Sequence, residues 1–153
     1  MRRIAGVATT LALVLALSGC GSGLAELSSA TQAAAPTQTY MEAGDPPVRL
    51  AVNDTGQGQP VILIHGLGTN SYTWRHIAPE LAKTHRVVTI DLKGFGASEK
   101  PLEGSYTVRA QADLVQEVIE AKGLRDVTLI GHSYGGGISL LLALDDTKAA
   151  DKR

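Results

Sequence analysis

The stretch Val127-Thr128-Leu129-Ile130-Gly131-His132-Ser133-Tyr134-Gly135-Gly136 runs a short apolar segment into a serine set between glycines. An apolar run of helical length follows, from Tyr134 to Leu144, so the whole reads as strand, tight turn, helix. A serine hydroxyl is a weak nucleophile on an ordinary surface, and this turn supplies a mounting for it. Gly131 and Gly135 bring no side chain into the bend, which leaves the Ser133 hydroxyl exposed at the end of the strand. The Tyr134 amide then falls at a helix N-terminus, where free N–H groups and the helix dipole favour negative charge. A tetrahedral oxyanion needs that environment.

Working outward, the same alternation of strand and helix recurs upstream. Val48 to Val52 alternates like an early strand, and Asn53 to Pro60 is turn chemistry. Val61 to Ile64 and Arg86 to Ile90 are continuous apolar runs of the kind buried on both faces of a sheet. Trp74 to Leu81 carries Trp74, Ile77, Ala78 and Leu81 on one helical stripe. Val108 to Ala121 does the same with Leu114, Val115, Val118 and Ile119, and Gly123 is the expected stop. This order predicts an α/β fold with a mostly parallel sheet. Sites in such sheets form beyond the carboxyl ends of the strands. Three loops sit there: His65-Gly66-Leu67-Gly68, Asp91 to Ser98, and the serine turn. In the first, Gly66 and its neighbour let backbone approach a bound group, and the Leu67 amide is a candidate second oxyanion donor. His65 itself reads as a structural residue bonded to backbone.

Taken together, His65-Gly66-Leu67-Gly68, then Asp91-Leu92-Lys93-Gly94-Phe95-Gly96-Ala97-Ser98, then Gly131-His132-Ser133-Tyr134-Gly135-Gly136 resemble the α/β-hydrolase superfamily in order and spacing. The resemblance covers roughly Val48 to Leu144. It implies a serine hydrolase with Ser133 as nucleophile and the backbone amides of Leu67 and Tyr134 as the oxyanion hole. The implied substrate is a small ester or related acyl compound, with no cofactor. Lys93 stands where the family's middle motif usually has Arg or Pro, and Asp91 reads as a loop organiser rather than a catalytic group. Same-fold acyl transfer, carbon–carbon hydrolysis, cofactor-free haloperoxidation and a non-catalytic envelope lipoprotein are the alternatives.

The family places an acid and then a histidine after the nucleophile, in that chain order. No histidine follows Ser133 here. His132 adjoins the nucleophile on the turn, His76 lies in the first helical stretch, and His85 precedes a strand at its amino end. Asp145 and Asp146 lie about 12 residues down the helix, roughly 18 Å from Ser133 at 1.5 Å per residue. None is placed to activate the serine. The expectation is therefore an incomplete α/β-hydrolase domain over residues 48–153, truncated after the nucleophile helix and inactive as it stands.

The amino-terminal part has a different composition. Met1-Arg2-Arg3 precedes an apolar run from Ile4 to Leu17 and then Leu17-Ser18-Gly19-Cys20. A basic start, a short apolar core and small residues before a cleavage point describe a secretory signal, here residues 1–19. The ending resembles the bacterial lipobox, which implies a lipid on Cys20 and attachment to the cell envelope, facing the periplasm or exterior. Residues 20–47 are rich in Ser, Ala, Thr, Gln and Pro and are expected to be a flexible tether. With one cysteine in the chain, an intramolecular disulfide is excluded. A net charge of −1 with mixed signs gives no basic face for nucleic acid, and no metal-ligand set is visible.

Overall fold

The computed structural model describes residues 37–151. The signal segment and Cys20 lie outside them. Strands β1 (Thr37–Ala43), β2 (Val48–Thr55), β3 (Pro60–Ile64), β4 (Arg86–Ile90) and β5 (Thr128–Gly131) form one sheet in the order β1-β2-β4-β3-β5. Helices α1 (Ala78–Leu81), α2 (Val108–Ala121) and α3 (Tyr134–Asp151) connect or follow them. The sheet is mixed: β4, β3 and β5 are parallel, while β1 pairs antiparallel with β2 and β2 antiparallel with β4.

Alternation along the central strands splits their side chains between two apolar layers. Ile62, Ile64, Val88 and Ile90 join Leu50, Val52 and the buried stripe of α2 and α3 in the larger core. Val61, Leu63 and Val87 turn the other way, onto Trp74 and Ala82. Both faces of β3 and β4 are thus covered, which is why these strands read as unbroken apolar runs. On the second face a groove of about 720 Å³ opens among Trp74, Val87, Thr89 and Asp91. Neither Ser133 nor Leu67 lines it.

Helix α2 begins and ends where the periodicity places it. Thr107 caps it by accepting the Ala110 N–H at 3.2 Å. Gly123, at φ +63°, reverses the chain so that the Leu124 N–H reaches the Ile119 carbonyl at 3.0 Å. Leu114, Val115, Val118 and Ile119 are buried, as their spacing requires.

Three expectations change. The tether does not extend to residue 47, because Thr37–Ala43 is a strand in full register with β2. As an edge strand it turns only Met41 and Ala43 toward the core, so its composition stays polar. The stretch from Trp74 to Leu81 is not one helix but a 3-10 turn, Ser71–Trp74, followed by the four-residue α1. Pro79, at the start of α1, has no N–H to continue a helix from the preceding turn, and Ile77 is left 47% exposed. Finally, α3 continues past Leu144 to Asp151.

Candidate active site

The register places Ile90, Ile64 and Gly131 level with one another across β4, β3 and β5. The three glycine-bearing loops therefore leave the sheet side by side at the carboxyl ends of parallel strands. The serine turn is tied to β3 by the His132 N–H, which donates to the Ile64 carbonyl at 3.0 Å. It closes on itself through the Gly135 N–H to the His132 carbonyl at 2.9 Å and the Gly136 N–H to the Ser133 carbonyl at 2.9 Å.

Ser133 is exposed and sits at φ +52°, a left-handed conformation that costs a non-glycine residue free energy. The packing around it leaves no room for relaxation. A Cβ on Gly131 would stand 2.2 Å from the Gly135 carbonyl oxygen, and one on Gly135 would stand 2.2 Å from that of Ile64. The helix must start this close to β3, and it does so because these two residues are glycine. Tyr134 is the first residue of α3, so its N–H has no carbonyl one turn back within the helix.

The Leu67 loop is built by its neighbours. The Gly66 carbonyl accepts from the His65 Nδ1–H at 2.8 Å, the Thr69 hydroxyl at 2.9 Å and the Thr69 N–H at 3.3 Å. In a planar trans peptide the N–H points opposite to the carbonyl. Pinning the Gly66 oxygen on one side therefore turns the Leu67 N–H to the other. The loop also adjoins the serine turn, since a Cβ on Gly66 would lie 2.9 Å from His132 Nδ1.

His65 is fully buried, and both its ring nitrogens are committed. Nδ1–H donates to Gly66, while Nε2 accepts the Leu92 N–H at 3.0 Å. This holds the neutral imidazole, and burial pushes its pKa below the ordinary value. Phe95 meets the ring edge-on at 5.7 Å between centroids. Asp91, also buried, accepts the Ser71 N–H at 2.7 Å and the Ala97 N–H at 2.8 Å, joining the first loop to the second. Its carbonyl accepts from the Ser98 hydroxyl, whose oxygen in turn accepts the Ala51 N–H at 2.8 Å. His65 and Asp91 are therefore occupied in holding loops.

His76 and His85 are no better placed as bases. His76 is exposed beside α1, and His85 shares a hydrogen bond with Thr84 at 2.8 Å just before the amino end of β4. The parts that sequence alone did not reveal are the pinning role of Thr69 and a contact from the Tyr134 hydroxyl to the Tyr106 carbonyl at 2.8 Å. A threonine four residues after a histidine, or a tyrosine before a helix cap, carries no local signal of either.

Residues 59–152 match the family model described as the alpha/beta hydrolase fold. The 2-hydroxymuconate semialdehyde hydrolase of Pseudomonas sp. (strain CF600) is 40% identical over 100 residues, covering 63% of this chain and 35% of that protein. Lipase 3 of Moraxella sp. (strain TA144) is 43% identical over 94 residues, covering 61% and 30%. The solved structure of an esterase from Exiguobacterium antarcticum superimposes with a TM-score of 0.66 at 35% identity, over 71% of this chain and 40% of that one. The chain thus spans about a third of the length of the curated relatives it matches. Matched motifs, the strand order and a family model over most of the chain agree: this chain belongs to the alpha/beta hydrolase fold family.

Proposed function

We propose that the protein is a serine hydrolase that cleaves an ester or related acyl compound through Ser133. The observation that carries this reading is Ser133 at φ +52°, exposed between a strand and a helix, with Gly131 and Gly135 filling positions where a Cβ has no space. In the reaction the Ser133 oxygen attacks the acyl carbonyl carbon and gives its proton to a general base. The carbonyl electron pair moves onto oxygen, and the amides of Leu67 and Tyr134 receive that anion. Collapse expels the alcohol, which takes the proton back. Water then frees the acid from the acyl-enzyme by the same steps. The lipase and esterase among the similar proteins support an ester as substrate.

The base comes from outside residues 1–153 in this reading. His65 is committed to backbone on both nitrogens, His85 shares its bond with Thr84 before the amino end of β4, and His132 Nδ1 lies against Gly66. Without it the 153 residues hold a mounted nucleophile and anion donors, and attack is slow. The protein is further proposed to be lipidated at Cys20 and held in a bacterial envelope, which metabolic labelling with a palmitate analogue tests against Cys20→Ala.

The test of the chemistry is covalent capture by a fluorophosphonate probe in the full-length protein. Labelling is expected in the wild type and absent in Ser133→Ala. A full-length wild type that stays unlabelled refutes the assignment.

A further inference from the structure

The segment from Pro101 to Thr107, between the β4 loop and α2, is strapped down by contacts that converge on Tyr106. Lys93 is buried although it carries an ammonium group. Its carbonyl accepts from Gln111 Nε2 at 2.8 Å, which fixes its backbone against α2. Its Nζ donates to the Ser105 carbonyl at 3.2 Å and lies 4.7 Å from the centroid of the Tyr106 ring. That is cation–π distance, favourable for a partly desolvated cation. The Cε1 edge of the ring rests on Gly94, where a Cβ would come within 2.6 Å of that carbon. The Tyr106 hydroxyl donates to the Pro101 carbonyl and closes the strap.

Tyr106 has one more partner. Its backbone carbonyl accepts the Tyr134 hydroxyl at 2.8 Å. Tyr134 follows Ser133 directly and opens α3, so this bond restrains the first turn of the helix that carries the free N–H. Tyr106 therefore uses its ring to hold Lys93 and its carbonyl to hold the residue beside the nucleophile. Burial pushes the Tyr134 hydroxyl upward from its ordinary pKa, so it remains a donor throughout the neutral range.

We infer that Lys93 and Tyr106 are positioning residues for the serine turn, acting through the Tyr134 hydroxyl to aim the Tyr134 amide. The inference rests on the reading of Ser133 as nucleophile and that amide as an anion donor. Errors of about 1 Å in such a donor can cost up to about a hundredfold in rate, so a remote tie can matter to turnover without touching substrate.

The test compares wild type, Ser133→Ala, Tyr134→Phe, Lys93→Met, Lys93→Arg and the Tyr134→Phe/Lys93→Met double variant in the full-length protein. Hydrolysis of p-nitrophenyl butyrate and the fluorophosphonate labelling rate are measured, with circular dichroism recording the folded fraction at the assay temperature. Tyr134→Phe and Lys93→Met are expected to lower kcat by about five- to twentyfold, the loss of one hydrogen bond or cation–π contact, with KM within about twofold. Lys93→Arg should recover most of that loss, and the double variant should be no slower than the slower single one. An unlabelled wild type overturns the nucleophile assignment and this inference with it. If the wild type labels and Ser133→Ala does not, while Tyr134→Phe and Lys93→Met keep kcat within about twofold, the positioning role alone is overturned. It is equally overturned if the loss follows the folded fraction or appears in KM.

Discussion

Replacing Gly135 with alanine isolates how closely α3 must approach β3. The new Cβ would lie 2.2 Å from the Ile64 carbonyl oxygen and 2.7 Å from that of His65. Ordinary contact is about 3.5 Å, so strand end and helix start must separate by roughly 1 Å. Both opposing atoms are backbone, and no side chain can swing aside. Overpacking of this kind costs about 1–3 kcal/mol or more, partly offset by about 0.5–1 kcal/mol from alanine's better helix propensity. Gly136 provides the control: its Cβ would be 3.6 Å from the nearest atom, the Gly131 carbonyl oxygen, so Gly136→Ala should keep the helix gain without the clash. With that offset taken off, the net cost of Gly135→Ala is up to about 2.5 kcal/mol, so at roughly 4 °C per kcal/mol for a domain of this size it should melt up to about 10 °C below wild type and Gly136→Ala about 2–4 °C above it. Thermal unfolding followed by circular dichroism reads both. A Gly135→Ala protein melting above wild type, or two variants falling together, would refute the argument.

Two further outcomes follow from charge. His65 is held neutral, with its pKa below the ordinary 6.5, so the unfolded chain takes up its proton first as pH drops. Stability should be full above about 6.5 and fall as pH moves from there down through the lowered folded value, and this slope should vanish in His65→Asn when unfolding midpoints are compared across pH. Asp54 accepts two hydrogen bonds from Arg86, at 3.0 and 2.8 Å, and one from Lys122 at 2.8 Å, joining β2, β4 and the end of α2. The Arg86 bonds chiefly hold its carboxyl below 3.8, so its contribution is present above that pH and lost as pH falls through the lowered value. Asp54→Asn should cost about 1–3 kcal/mol at pH 7 in urea unfolding, and the gap to wild type should narrow in acid.

Strands buried on both faces announce themselves locally, since Val61 to Ile64 and Arg86 to Ile90 have no polar face to show. Helix α2 is equally readable, because cap, apolar stripe and glycine stop are all matters of near neighbours in the chain. The serine turn belongs to the same class: its glycines are needed by contacts the chain makes within a few residues and with the strand beside it. Neighbours distant in sequence made the other decisions. Thr37–Ala43 became a strand because β2 offered a ladder, while an edge position asked for only two inward side chains. The stretch around Pro79 broke because a missing N–H outweighed an apolar stripe. His65 was spent on two backbone groups, those of Gly66 and Leu92, and Lys93, Tyr106 and Tyr134 met through a carbonyl and a ring face. Periodicity records which side of an element is buried. It holds no record of which distant group a buried nitrogen or hydroxyl will find, and that choice appears only when the chain has closed on itself.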